Sequence, residues 1–145
     1  MEKIDFQIAY DHIWFDHPLT VITKLDDRVI NVDVSGHVST NINKTLKITP
    51  GRHRLSVEIS NKNESNNSVD SQGNVLNNTV IRFTHFSLDG INLMGMITTD
   101  SAVCKFLIDN NLNQRLNKIT EFGYNGTWYF DFETPLYDWL LEKLF

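Results

Sequence analysis

Arg54-Leu55-Ser56-Val57-Glu58-Ile59-Ser60 alternates strictly between apolar and polar side chains. A two-residue period puts Leu55, Val57 and Ile59 on one face of a strand and Arg54, Ser56, Glu58 and Ser60 on the other. One dry face and one wet face is the pattern of an antiparallel sheet with a single buried side. The period recurs on both sides of this stretch. In residues 3–10, Ile4, Phe6, Ile8 and Tyr10 alternate with Lys3, Asp5, Gln7 and Ala9. In residues 28–35, Ile30, Val32 and Val34 alternate with Asn31, Asp33 and Ser35, which predicts those three aliphatic residues in the core alongside Leu55, Val57 and Ile59. Residues 19–25 and 45–49 read as further strands, and residues 80–88 are rich in β-branched and aromatic side chains. Turn signals separate them: His17-Pro18, Asp26-Asp27, Ser35-Gly36, Pro50-Gly51 and Asp89-Gly90. Short strands at such spacing predict a mainly β fold, an antiparallel sandwich or barrel.

Pro50-Gly51 suits a type II turn, with φ fixed at Pro50 and positive at Gly51. A tight hairpin there would oppose Lys47 and Arg54, so a looser arch between two sheets is expected. Residues 61–78 form a long polar loop with seven Asn, three Ser, Glu64, Asp70 and Gly73. Its length marks it as functional or as a mobile tip. Leu112, Leu116 and Ile119 predict a short helix over residues 110–119. After the Asn125-Gly126 turn signal, residues 127–133 alternate again. Thr134-Pro135 predicts an N-cap and first helical position for a C-terminal helix over residues 136–145. Its apolar side chains cover about half the helix circumference, more than the ≳100° stripe one sheet covers. If the Leu136–Leu140–Leu144 stripe packs on the domain's own sheet, Tyr137, Trp139, Leu141 and Phe145 remain for an intermolecular contact.

The 145 residues form one domain, 1–145. At 16.8 kDa, folding buries about two-thirds of the chain's surface, enough for a core without disulfides or metals. A net charge of −5 argues against a nucleic-acid partner, which would need a basic stripe. No stretch approaches the ~20 apolar residues of a membrane span, and the start lacks the apolar region of a secretion signal. The five N-x-Ser/Thr triplets are then accidental products of an Asn-rich composition. The single cysteine, Cys104, lies in an apolar run and is expected to pack as a small hydrophobe.

Candidate chemistry is sparse. Residues 10–18 collect His12, His17, Asp11 and Asp16, but the five-residue spacing of the histidines sends them to opposite strand faces, so no zinc site is expected. Asp131 and Glu133 share a strand face, and with Glu58 they are the carboxylates a glycosidase could use. Solvent-facing strand positions are ordinarily charged, so no catalytic role is assigned. Nucleophile elbow, glycine-rich phosphate loop and H-E-x-x-H motifs do not occur, and His37, His53 and His85 stand isolated. Glu64 and Asp70 are too few to predict a calcium loop. No cofactor is expected.

Residues 31–36 (NVDVSG), 51–61 (GRHRLSVEISN) and 79–90 (TVIRFTHFSLDG) resemble the small jelly-roll carbohydrate-binding modules of the calcium-dependent xylan-binding type. That resemblance implies a jelly-roll-like sandwich binding polysaccharide, with Tyr10, Trp14 and Phe15 as loop aromatics that stack on sugar rings. In that family an acidic residue accompanies the strand-end Asn in the calcium site; here Lys62 follows Asn61. The aromatic unit at residues 125–141 is instead similar to the endings of small structural proteins of tailed bacteriophages. The expectation is a non-enzymatic virion structural module, decorating or bridging capsid or tail subunits or pairing with itself. The alternative is a carbohydrate-binding module, cytoplasmic where no virion is involved.

Overall fold

A computed structural model of the chain describes residues 1–109, 115–116 and 120–144. Its elements run β1 (Glu2–Ile13), β2 (Thr20–Leu25), β3 (Arg28–Asp33), β4 (Ser39–Ile48), β5 (Gly51–Ser60), a 3-10 turn (Glu64–Asn66), β6 (Ser68–Val69), β7 (Val75–Asn77), β8 (Val80–Leu88), β9 (Ile91–Asn92), α1 (Met94–Thr99), β10 (Cys104–Ile108), β11 (Arg115–Leu116), β12 (Glu121–Phe122), β13 (Gly126–Thr134) and α2 (Leu136–Leu144). One sheet has the order β12-β8-β1-β4, with β9 joined to β8. The other runs β11-β10-β13-β5-β2-β3, and β6 and β7 form a separate hairpin. The fold is mainly β, two antiparallel sheets with a short C-terminal helix, as the alternation predicts.

Aromatic rings join the sheets. Phe83 and Phe86 of β8 lie 4.8 Å edge-on from Trp128 and Phe130 of β13, and Phe106 of β10 stacks on Phe122 of β12 at 4.9 Å. Such pairs contribute beyond their area burial, and each fully buried large side chain stabilises by about 1.5–3 kcal/mol. Leu55, Val57 and Ile59 sit in this core, with Ile4, Phe6, Ile8 and Tyr10 opposite them. The arch is also as expected. β4 belongs to one sheet and β5 to the other, and Gly51 carries φ +119 where the chain crosses between them.

β3 reverses its expected faces. Val32 and Val34 are exposed, Ile30 is half-buried, and Asp33 points inward. Val32 pairs with Ile22 on the outer surface, whereas Asp33 lies opposite buried Val21. Thr23 and Lys24 pair with Asn31 and Val29, so Ile30 is an extra residue in β3 and shifts its register. The inward slot then goes to Asp33, whose carboxylate accepts from the buried Tyr10 hydroxyl at 2.6 Å.

Two further expectations change. Where a helix was expected over residues 110–119, Arg115–Leu116 is strand paired to β10, and the remainder lies outside the described residues. Thr134 does not cap α2, because its hydroxyl donates to the Thr49 carbonyl at 2.7 Å. The Leu136 N–H donates instead to the Glu2 carboxylate at 3.1 Å, which places a negative charge at the positive end of the helix.

Candidate functional site

α2 packs Leu136 and Leu140 inward as its spacing predicts. Trp139 joins them, 5% exposed, edge-on to Phe130 at 6.0 Å and against Phe132 at 6.4 Å. As a contact residue for a partner it is therefore corrected to a core residue. The indole fills space beside the two phenylalanines that a leucine stripe alone would leave. Tyr137 and Leu141, one turn apart, remain more than half exposed, and Phe145 lies outside the described residues. Among the described residues, the exposed apolar side chains of α2 are thus Tyr137 and Leu141, beside exposed Asp138, Glu142 and Lys143.

The expected loop aromatics separate. Tyr10 is a core residue on β1, 1% exposed, so it cannot stack on a sugar ring. Burial and the neighbouring Asp33 carboxylate raise its pKa. Burial pushes the Asp33 pKa upward, but hydrogen bonds from Tyr10, Ser35 and Thr40 outweigh it and leave a net lowering. Trp14 and Phe15 are each about 40% exposed, side by side in the loop between β1 and β2. The Trp14 indole N–H donates to the Gly36 carbonyl at 2.8 Å. A Cβ on Gly36 would come within 2.8 Å of Pro18 and 3.0 Å of the indole nitrogen, so only glycine admits this packing.

The first part of the 61–78 segment clasps that loop. Asn66 is fully buried, and its amide donates to the carbonyls of Phe15 and His17 at 3.0 and 2.8 Å. The Phe15 N–H donates to the Thr79 hydroxyl, which donates in turn to the Asn66 carbonyl. His17 places Nδ1 2.8 Å from Asp16 Oδ2 and Nε2 2.7 Å from the Asn61 carbonyl. The Lys62 ammonium donates to Asn78 Oδ1, Thr79 O and Gly123 O at 3.1, 3.0 and 2.5 Å, and burial lowers its pKa. Beyond the clasp, β6 and β7 turn about Asp70, whose carboxylate accepts from the backbone N–H groups of Gln72 and Asn74. That hairpin exposes Val69, Val75 and Leu76, an apolar content its Asn-rich surroundings conceal in the sequence.

The β13 carboxylates meet arginines rather than one another. Arg54, directly across from Asp131, makes a two-pronged pair with it at 2.7 and 3.0 Å, and its guanidinium lies 4.5 Å over the Tyr129 ring. Arg52 pairs with Glu133 at 3.3 Å in the next register position. Glu58 faces Thr127. Such ladders stabilise antiparallel pairs modestly. Beside this ladder, a cleft of about 450 Å³ is lined by His53, Phe132, Trp139 and Lys143. His53 holds Nδ1 2.8 Å from Asp26 Oδ2 and Nε2 2.6 Å from the Thr49 carbonyl.

Cys104 is buried with the Trp128 indole N–H on its sulfur at 2.8 Å, and burial pushes its thiol up to about 12. It packs as a small hydrophobe, as expected. His12 and His17 do not converge. His12 is buried and accepts from the Leu19 N–H, while His17 serves the loop clasp. Among the described residues no group of three or more His, Cys, Asp or Glu side chains is placed to hold a metal ion, and no helix is long and apolar enough to cross a membrane.

Thr79 opens the 79–90 motif and Lys62 follows the strand-end Asn61, yet the motifs give neither of them, nor Asn66, a part in holding the loop. Their roles depend on contacts 13 to 64 residues apart, and no local spacing announces them. Comparison with protein-family models, with curated proteins and with solved structures finds no match.

Proposed function

We propose that the chain is a non-enzymatic structural module that acts through protein–protein contacts, in a virion capsid or tail assembly or with further copies of itself. The observation that carries this reading is the exposed apolar pair on α2. Tyr137 and Leu141 stay in water while Leu136, Trp139 and Leu140 pack on the helix's own domain. An exposed tyrosine is a favoured interface anchor, and Leu141 one turn on extends its apolar surface. The pairing of Asp131 and Glu133 with arginines favours a structural use of those carboxylates. The virion setting rests on the likeness of residues 125–141 to the endings of bacteriophage structural proteins.

Sedimentation velocity over a concentration series tests the self-association arm. Wild type should form a larger species, and Tyr137→Ser with Leu141→Ser should remain monomeric with an unchanged melting temperature. A wild type that stays monomeric, from a gene flanked by polysaccharide-degrading enzymes rather than capsid and tail genes, would remove this reading.

A second reading is favoured by Trp14 and Phe15. They are half-exposed aromatics on a loop tied down at Phe15, His17 and Gly36, a preorganised platform on which a sugar ring could stack. Retardation of the protein in gels containing soluble xylan, lost in Trp14→Ala, would move the carbohydrate-binding function to first place.

A further inference from the structure

His17 and His53 are wired alike. In each, Nδ1 faces a carboxylate oxygen and Nε2 faces a backbone carbonyl, all within 2.6–2.8 Å. All four partners are acceptors. A neutral imidazole carries one N–H and can serve only one of its two partners, leaving a lone pair against an oxygen at the other. Only the imidazolium satisfies both.

We propose that His17 is an acid-set latch that fixes the Trp14–Phe15 loop against the end of β5, with His53 the matching latch at the strand's other end. On deprotonation the remaining proton stays on Nδ1, where the carboxylate makes the stronger, charge-assisted bond. The arm lost is then Nε2 to the Asn61 carbonyl, which spans 44 residues of sequence. His53 loses its arm to Thr49 in the same way, and the Thr134 hydroxyl alone then holds that carbonyl of the arch between the sheets. The Asn66 amide still holds Phe15 and His17, so the loop loosens without leaving the domain.

The charged surroundings agree. Around His17, Asp16 is the ion-paired group, itself held by the Ser65 hydroxyl, while Lys62 is turned to Asn78, Thr79 and Gly123. Around His53 are Asp26 and Asp27 from the β2–β3 turn, Arg28, Lys47 of β4, the Met1 amino terminus, Arg52 and Arg54 with their Glu133 and Asp131 partners, and Lys143 across the cleft from α2. The His17 pKa is raised by its bond to Asp16 and the Asn61 carbonyl. For His53, burial opposes the charge, but Asp26 and Thr49 outweigh it and the net shift is also upward. With folded-state pKa values above the unfolded one, the latches stabilise fully below about pH 6.5 and are lost as pH rises through the folded values. The latch stands whatever Trp14 and Phe15 contact.

The test is an NMR titration of the five imidazoles, with amide-exchange protection factors for residues 14–17 measured across the same range. His17 and His53 should titrate above the ordinary histidine value, and protection at residues 14–17 should fall as His17 loses its proton. Asp16→Asn should lower the His17 midpoint and leave His53 unmoved. His17→Gln should make the protection independent of pH. A His17 midpoint at or below the ordinary value, or protection in wild type that does not change across the titration, overturns the latch. Should His17→Gln fail to fold, the wild-type midpoint and the Asp16→Asn shift still decide it.

Discussion

β5 lies inside its sheet, paired with β13 on one side and β2 on the other, whereas β3 is the last strand of the same sheet. Both alternate apolar and polar residues. In β5 every second side chain meets the opposite sheet, and Leu55, Val57 and Ile59 are at most 1% exposed. In β3 the valines face outward, where no second layer covers them, and the polar set faces in. The difference teaches that alternation defines two faces without choosing between them. The choice falls to the neighbours. β5 is held in register along both edges, while β3 is held on one, across an irregularity, and its inward slot is claimed by Tyr10.

Mutations test this contrast directly. Leu55→Ala carries the largest expected effect, a loss of about 2–5 kcal/mol through lost burial and a residual cavity. Val57→Ala should cost roughly 1–3 kcal/mol by the same mechanism. Both are read from urea denaturation midpoints, and a near-neutral Leu55→Ala would break the comparison at its stronger end. On β3 the sensitive residue should be the acidic one. Asp33→Ala leaves the buried Tyr10 hydroxyl without its acceptor and should cost about 1–3 kcal/mol. A harmless Asp33→Ala paired with a damaging Val32→Ala would mean that β3 keeps its valines inside after all.

The acid limb of stability sharpens the same point. The folded pKa of Asp33 lies below its unfolded value, so its contribution is present above about pH 4 and lost as pH falls through the depressed value. His12, whose pKa is lowered by burial with Asp33 partly opposing, loses stability in the same direction, beginning below about pH 6.5. Asp33→Asn should therefore flatten the wild-type acid limb in thermal melts at stepped pH, and an unchanged limb would assign it elsewhere. The smallest effects belong to outward positions. Val32→Ala on β3 and Glu58→Ala on β5 should both remain within about ±0.5 kcal/mol.

α2 repeats the lesson in helical form. The spacing of Leu136 and Leu140 fixes which side of the helix is apolar. It does not say how deep the cleft beneath is, and Trp139 sinks because Phe130 and Phe132 leave room for an indole. Of the three described residues expected at an interface, Tyr137 and Leu141 stay exposed.

Periodicity and turn signals along the chain were enough for the strands β1 to β5, β8 and β13 with their two faces, for the arch at Pro50-Gly51, for the burial of Cys104 and for a C-terminal amphipathic helix. Each follows from local period or local backbone preference, which act over a few residues. β6, β7 and β9 to β12 were not legible. That Asp33 enters the core, that Trp139 is interior, and that Glu2 rather than Thr134 serves the start of α2 came with the assembly of the two sheets. That assembly also decided that Asn66, Lys62 and His17 hold the aromatic loop. These depend on groups from distant segments meeting at hydrogen-bond distance, where a buried polar group must find a partner or destabilise the fold. Which group supplies that partner is a property of the assembled sandwich, and no periodicity along the chain encodes it.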